Sequence, residues 1–308
     1  MLKCTVSVGV RRARREPMPS SQISKGDGTQ SRSVKLSLAH SPDSDDAFMF
    51  YALATKKIRT GNLRFSHTLE DIESLNQKAR DGVYDVTAMS FHAYAYLADR
   101  YVLLPSGGSF GDGYGPLVVA RGSLTAESLK GKRIAVPGKM TTAYLAMRLY
   151  EPDFEPVFIP FDRILGQVAS GDVDAGVLIH EGQLTYAREG VNKIVDLGEW
   201  WSKETQLPLP LGGNAIKRML DPRTLQQAAK VLSESIHYGL HHREEALEYA
   251  IQFARGLDPS TADRFVSLYV NDWTLDYGER GRQAVQTLLD RGFERGVLPN
   301  QVKAEFVE

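Results

Sequence analysis

From Val34 onward the chain alternates short apolar runs with segments of helical periodicity, and that order restricts it to an α/β architecture. Val34–Ala39 reads as a strand, and a polar loop over 40–46 feeds a helix over Ala47–Lys57. Leu63–Leu69 reads as a strand, Ile72–Arg80 as a helix, Asp85–Met89 as a strand and Phe91–Ala98 as a helix. Parallel strands need a crossover, and a helix supplies it, so this alternation predicts a mostly parallel sheet with covered faces. Further strands are expected at Leu117–Ala120, Arg133–Val136 and Asp174–Ile179, with helices at Thr142–Tyr150, Arg163–Ser170 and Gly182–Glu189. Beyond Pro222 the pattern is helical, over Thr224–His241, Glu244–Arg255, Ser260–Val270 and Gly278–Arg295.

Length and charge narrow the class. A chain of 308 residues can bury one large core or two smaller ones, and 42% hydrophobic with 24% charged residues is ordinary for a globular protein. Residues 1–33 hold seven Lys or Arg against two Asp or Glu, so a chain of net charge −1 has an acidic remainder. That remainder gives no reason to expect a nucleic-acid partner. The basic segment contains Arg11-Arg12-Ala13-Arg14-Arg15 and then a Ser-, Pro-, Gly- and Gln-rich run, which reads as a disordered extension. Polar residues follow the arginines where an export signal would be apolar, and Cys4 is the single cysteine. A cytoplasmic location is the expectation, with no disulfide framework and no run of residues long and apolar enough to span a membrane.

The stretch Asp174-Ala175-Gly176-Val177-Leu178-Ile179-His180-Glu181 carries the clearest chemistry. Its apolar run ends on a histidine at a strand's carboxyl end, where ligands of open α/β sheets collect. A lone histidine there is either a hydrogen-bonded structural residue or a general base for an acidic carbon or hydroxyl. Glu181 either orients the ring or caps the following helix. Leu75-x3-Ala79-x2-Gly82-x2-Asp85 resembles Leu165-x3-Ala169-Ser170-Gly171-x2-Asp174; one unit closes on Ser90 and the other on His180. Two lobes built on one plan would set Ser90 and His180 across a single cleft. Thr141 and Thr142 follow Val136-Pro137-Gly138 at a helix start, where hydroxyls and free N–H groups cap the helix and can hold an anion.

Other signals exclude more than they suggest. The glycine-rich run 106–115 precedes a strand instead of opening a helix, so it fails the dinucleotide fingerprint and reads as a loop or hinge. Gly138-Lys139 lacks the upstream glycine of a phosphate-binding loop. Leu184 stands where a zinc-protease helix needs its second histidine, and Asp43, Asp45 and Asp46 lack the glycine of a calcium loop. His241-His242 reads as the surface joint between two helices.

Taken together, several blocks resemble the 1,4-dihydroxy-6-naphthoate synthase family of the futalosine route to menaquinone. They are Ser41-Pro42, Phe48-x-Phe50-Tyr51-Ala52-Leu53, Leu69-Glu70-Asp71-Ile72-Glu73-Ser74-Leu75-Asn76, Ser106-Gly107-Gly108 and the run 115–121. Val136-Pro137-Gly138, Thr141-Thr142-Ala143-Tyr144, Asp162-Arg163-Ile164-Leu165 and Ile179-His180-Glu181 follow in order. Asp196-Leu197-Gly198-x-Trp200-Trp201 and the run 207–212 complete the set, so the match covers nearly everything after residue 33.

The resemblance implies a two-lobed fold similar to type II periplasmic binding proteins, each lobe a mixed, mostly parallel sheet flanked by helices. The implied division is 34–116 with 214–308 in one lobe and 117–213 in the other. It implies a cytoplasmic carbon–carbon lyase that acts on cyclic dehypoxanthinyl futalosine, without a metal or organic cofactor. The family's base falls on His180, and its substrate contacts fall on Ser90, on Ala88 and Met89 just before it, and on Thr141 and Thr142. Two positions depart. After Ser-Pro the family reads Cys-Pro-Asn-Asp, whereas this chain reads Asp43-Ser44-Asp45-Asp46, and Ala88-Met89 replaces a stretch that commonly holds a lysine. Either these carboxylates point outward or the pocket takes a different ligand. The alternatives are chorismate dehydratase, a solute-binding protein and a non-catalytic paralog of the same fold.

Overall fold

The computed structural model of the protein describes residues 33–308, so the expectations for the basic segment and Cys4 lie outside the described residues. The chain opens with β1 (Val34–His40), α1 (Ser44–Ala54), β2 (Leu63–Leu69), α2 (Ile72–Arg80) and β3 (Val86–Ser90). α3 (Phe91–Leu97), β4 (Tyr101–Leu103) and β5 (Ser109–Gly111) follow. Then come β6 (Leu117–Ala120), β7 (Arg133–Val136), α4 (Thr142–Tyr150), β8 (Glu155–Phe158), α5 (Phe161–Ser170) and β9 (Ala175–Leu178). α6 (Gly182–Thr185), β10 (Asn192–Asp196) and α7 (Leu197–Thr205) lead to β11 (Leu209–Lys217). The remainder is helical: α8 (Pro222–His241), α9 (Arg243–Ile251), α10 (Pro259–Tyr269), α11 (Asp272–Leu275) and α12 (Gly278–Glu294).

Two mixed sheets result. The first has the order β2-β1-β3-β11-β4, with β5 also pairing β11; the second has the order β10-β6-β9-β7-β8. β1 runs parallel to β2 and β3, while β11 is antiparallel to its neighbours. In the second sheet β7 runs parallel to β8 and β9, and β6 is antiparallel to β9 and β10. The chain leaves the first sheet after β5 and returns to it with β11, so it passes between the sheets twice. One apolar cluster includes Met89, Phe91 and Leu103 beside the first sheet and Val118, Ile134 and Trp201 beside the second.

Among the differences from the sequence reading, which include β4, β8, β10, α7 and a shorter α6, three have a local physical reason. α1 begins at Ser44 instead of Ala47, because Asp43 has extended backbone and its carboxylate accepts the Asp46 N–H, capping the helix. α1 is then buried from Ser44 through Leu53, as expected of a helix apolar on all sides. The glycine-rich run holds a strand, β5, within what the sequence reads as a loop. β11 contains Pro210, Gly212 and Gly213, residues that argue against an interior strand, and a register shift between Pro210 and Gly212 accommodates the break in pairing with β5.

Candidate active site

The site forms where the carboxyl ends of β1, β3, β7 and β9 meet. β9 is fully buried, and Gly176 allows α5 to lie on it: a Cβ there would stand 2.5 Å from Ile164 Cγ2. Beyond β9 the chain turns sharply at His180, which takes a left-handed conformation with φ of 52°. Histidine tolerates that region better than most residues, and the turn throws its ring off the strand end. The ring meets the edge of Phe161 with centroids 4.8 Å apart, and Nδ1 lies 3.1 Å from Asp43 Oδ2. Asp43 is held by its capping role, so the start of α1 and the turn after β9 touch directly.

Ser90 ends β3 and is fixed from α2. Asn76, completely buried, accepts the Ser90 N–H at 3.0 Å and donates to Ser90 Oγ at 3.0 Å. Thr141 caps α4, its hydroxyl accepting from Tyr144 N at 3.2 Å and donating to the Gly138 carbonyl at 2.9 Å. Thr142 Oγ1 accepts the His92 N–H at 3.3 Å. Ala88, Met89, Ser90, Thr141, Thr142 and His180 all line one cavity, of about 110 Å³. Asp43, Asp45 and Asp46 line it too, so the carboxylates that depart from the family pattern face inward.

Burial dominates the electrostatics. It lowers the His180 pKa against the opposing pull of Glu181 and Asp45, which favours the neutral imidazole that a base requires. Burial, and then the nearby charge of Asp46, pushes the Asp43 carboxyl up to about 8. Asp45 and Asp46 are raised well above the carboxylate range by burial and by their acidic neighbours. None of the described residues lining the cavity is a lysine or an arginine. Glu181 does not cap α6; its carboxylate lies 3.5 Å from Arg255 instead. Arg255 also donates to the Pro42 carbonyl and stacks over Phe161, bracing both sides of His180.

A model of the family described as menaquinone biosynthesis matches residues 36–294. The 1,4-dihydroxy-6-naphthoate synthase of Thermus thermophilus is 43% identical over 272 residues, which cover 88% of this chain and 99% of that protein. The chain belongs to the menaquinone-biosynthesis family. Among solved structures, a protein from Archaeoglobus fulgidus is 49% identical with a TM-score of 0.82, covering 85% of this chain and 98% of its own. The fold extends further: the alkanesulfonate-binding protein of Xanthomonas axonopodis aligns with a TM-score of 0.66 at 16% identity, over 89% of this chain and 97% of that one. The two-lobed, periplasmic-binding-protein-like α/β architecture expected from the sequence is therefore the observed one. No helix among the described residues is long and apolar enough to cross a membrane.

Within this menaquinone-biosynthesis protein the geometry adds residues that the sequence did not single out as site residues. Asn76 stood in the sequence only as the last residue of the family-like run 69–76, with no role of its own, on the buried face of α2 beside Leu75 and Ala79. Glu73, one turn earlier, accepts the Met140 N–H at 3.1 Å and ties α2 to the loop before Thr141. Asn214 on β11 lines the cavity and donates to the Gly107 carbonyl, while its Oδ1 is buried without a partner. The signal for Asn214 was its place in a strand that its own glycines concealed.

Proposed function

We propose that this protein is a 1,4-dihydroxy-6-naphthoate synthase, a cytoplasmic carbon–carbon lyase that releases 1,4-dihydroxy-6-naphthoate from cyclic dehypoxanthinyl futalosine. The observation that carries the reading is His180, half-buried, biased to its neutral form and lining the same cavity as Ser90 and Thr141. With its proton on Nδ1 directed to Asp43, the ring keeps the Nε2 lone pair to take a proton from the substrate. Ser90, Thr141 and Thr142 hold the substrate's polar groups, while Ala88 and Met89 give it an apolar wall. The names of close relatives and the family match over residues 36–294 support the substrate assignment, and the inward-facing Asp43, Asp45 and Asp46 are compatible with it because burial favours their uncharged form.

Incubating the purified protein with cyclic dehypoxanthinyl futalosine and following the naphthoate by mass spectrometry tests the reading. His180→Ala is expected to lower kcat by about 10²–10⁴-fold with a much smaller change in KM. Wild-type turnover by that variant would remove His180 from the chemistry. Absence of product from the folded wild-type protein would remove the substrate assignment.

A further inference from the structure

His180 sits in a strained turn, and the residue three positions on grips that turn from both ends. A backbone φ of 52° is uncommon outside glycine and persists only where neighbours impose it. The Gln183 backbone N–H donates to the His180 carbonyl at 3.2 Å. Its side-chain oxygen accepts the His180 N–H at 3.2 Å, and its amide nitrogen donates to the Gly115 carbonyl at 2.8 Å. This orientation of the amide is the one that pairs both of its ends. The same nitrogen lies 2.8 Å from the Tyr269 hydroxyl.

These partners come from distant parts of the chain. Gly115 stands in the connection from β5 to β6, where the chain first passes between the sheets. Tyr269 is the last residue of α10, which packs on α1 and on β5 of the first sheet, and it is buried. Tyr114, next to Gly115, meets the Tyr269 ring edge-on with centroids 5.8 Å apart and donates its hydroxyl to the Leu268 carbonyl. Gln183 therefore joins the turn after β9, in the second sheet, to a helix that packs on the first. Gln183, Tyr269 and His180 all line the cavity.

We propose that Gln183 is a positioning residue for His180, whose role as base is the reading this rests on, and that its grip is complete only while Tyr269 stays docked. Asp43 orients the imidazole, with Nδ1 3.1 Å from its carboxylate. Gln183 fixes the backbone from which that side chain departs, and both are needed to aim Nε2. Tyr269 makes the grip sensitive to the approach of the two halves, because it is carried by the half that His180 does not belong to. A misplacement of about 1 Å at a reacting group costs about 100-fold in rate.

Steady-state kinetics of Gln183→Leu, which removes the amide at nearly the same volume, are the first test. Its kcat is expected to fall about 10–100-fold with a much smaller change in KM. A raised KM at unchanged kcat would make Gln183 a substrate contact and overturn the proposal. Tyr269→Phe removes only the hydroxyl; it is expected to lower kcat by less, and to add little to Gln183→Leu in the double variant. Strictly additive losses, or wild-type kcat in Tyr269→Phe, overturn the coupling even where Gln183→Leu fails to fold. Nitrogen NMR of protein carrying isotope-labelled histidine gives a readout without substrate. The ring signals that vanish in His180→Ala are expected to show one tautomer in the wild type, with the proton on Nδ1, and to average between tautomers in Gln183→Leu. A single tautomer in that variant too overturns the positioning role. Averaging there, with no naphthoate formed by the wild type, removes the lyase reading and leaves the positioning in place.

Discussion

At the scale of single residues, the site depends on buried polar groups that hold other polar groups in place. Asn76 is the clearest case, because its amide pairs with both the N–H and the hydroxyl of Ser90. Asn76→Ala is expected to cost about 1–3 kcal/mol of stability through the unpaired groups it leaves. If Ser90 contacts substrate, the same variant raises KM more than it lowers kcat, the reverse of His180→Ala. Urea unfolding and steady-state kinetics on the two variants separate these effects. His180 was legible from the sequence because a strand ending on a titratable residue is a local pattern. The contact between Asp43 and His180 was not legible, since it joins the loop after β1 to the turn after β9, two strands that lie in different sheets. Sequence spacing says which face of an element a residue occupies, but not what another element brings opposite it.

At the scale of elements, β9 and α5 show how closely packing positions the base. The missing side chain at Gly176 is space that α5 fills: a Cβ would stand 2.5 Å from Ile164 Cγ2 and 2.7 Å from Val168 Cγ2. Gly176→Ala is therefore expected to destabilise by about 1–3 kcal/mol through overpacking. Adding Val168→Ala should recover part of that loss, giving a non-additive double-mutant cycle in urea unfolding. Strictly additive losses would mean that α5 shifts freely and does not fix the strand. α5 and β9 were both readable from periodicity, whereas β4, β5, β8, β10 and β11 were not. Three-residue strands such as β4 and β5 are too short to show alternation. β11 instead carries proline and glycines whose local meaning is a break, and pairing on both edges overrides it.

At the scale of the whole molecule, the two lobes meet through buried polar contacts beside the cavity. His92 at the start of α3 spans this junction, with its N–H on Thr142 Oγ1 and its Nδ1 3.1 Å from the Thr141 carbonyl. Its Nε2 is buried without a partner, so a second ring proton would have no acceptor. Burial accordingly lowers the His92 pKa to about 4, and the Thr141 carbonyl offsets only part of that. The unfolded chain takes that proton near the ordinary histidine value of about 6.5. The folded pKa lies below the unfolded one, so the contribution of His92 is intact above about 6.5 and is lost as pH falls toward 4. The buried Asp43, Asp45 and Asp46 act in the opposite direction, because their raised values let the folded state hold protons that the unfolded state releases. A difference between two proteins that share those carboxylates cancels their effect. Relative to wild type, His92→Gln is expected to gain about 3 kcal/mol between pH 7 and pH 4, at about 1.4 kcal/mol per unit. Urea unfolding of both proteins at the two pH values measures it. Parallel stability curves would show that the junction accepts a proton on His92 without cost, and the two lobes would then meet through a looser contact than the buried ring implies.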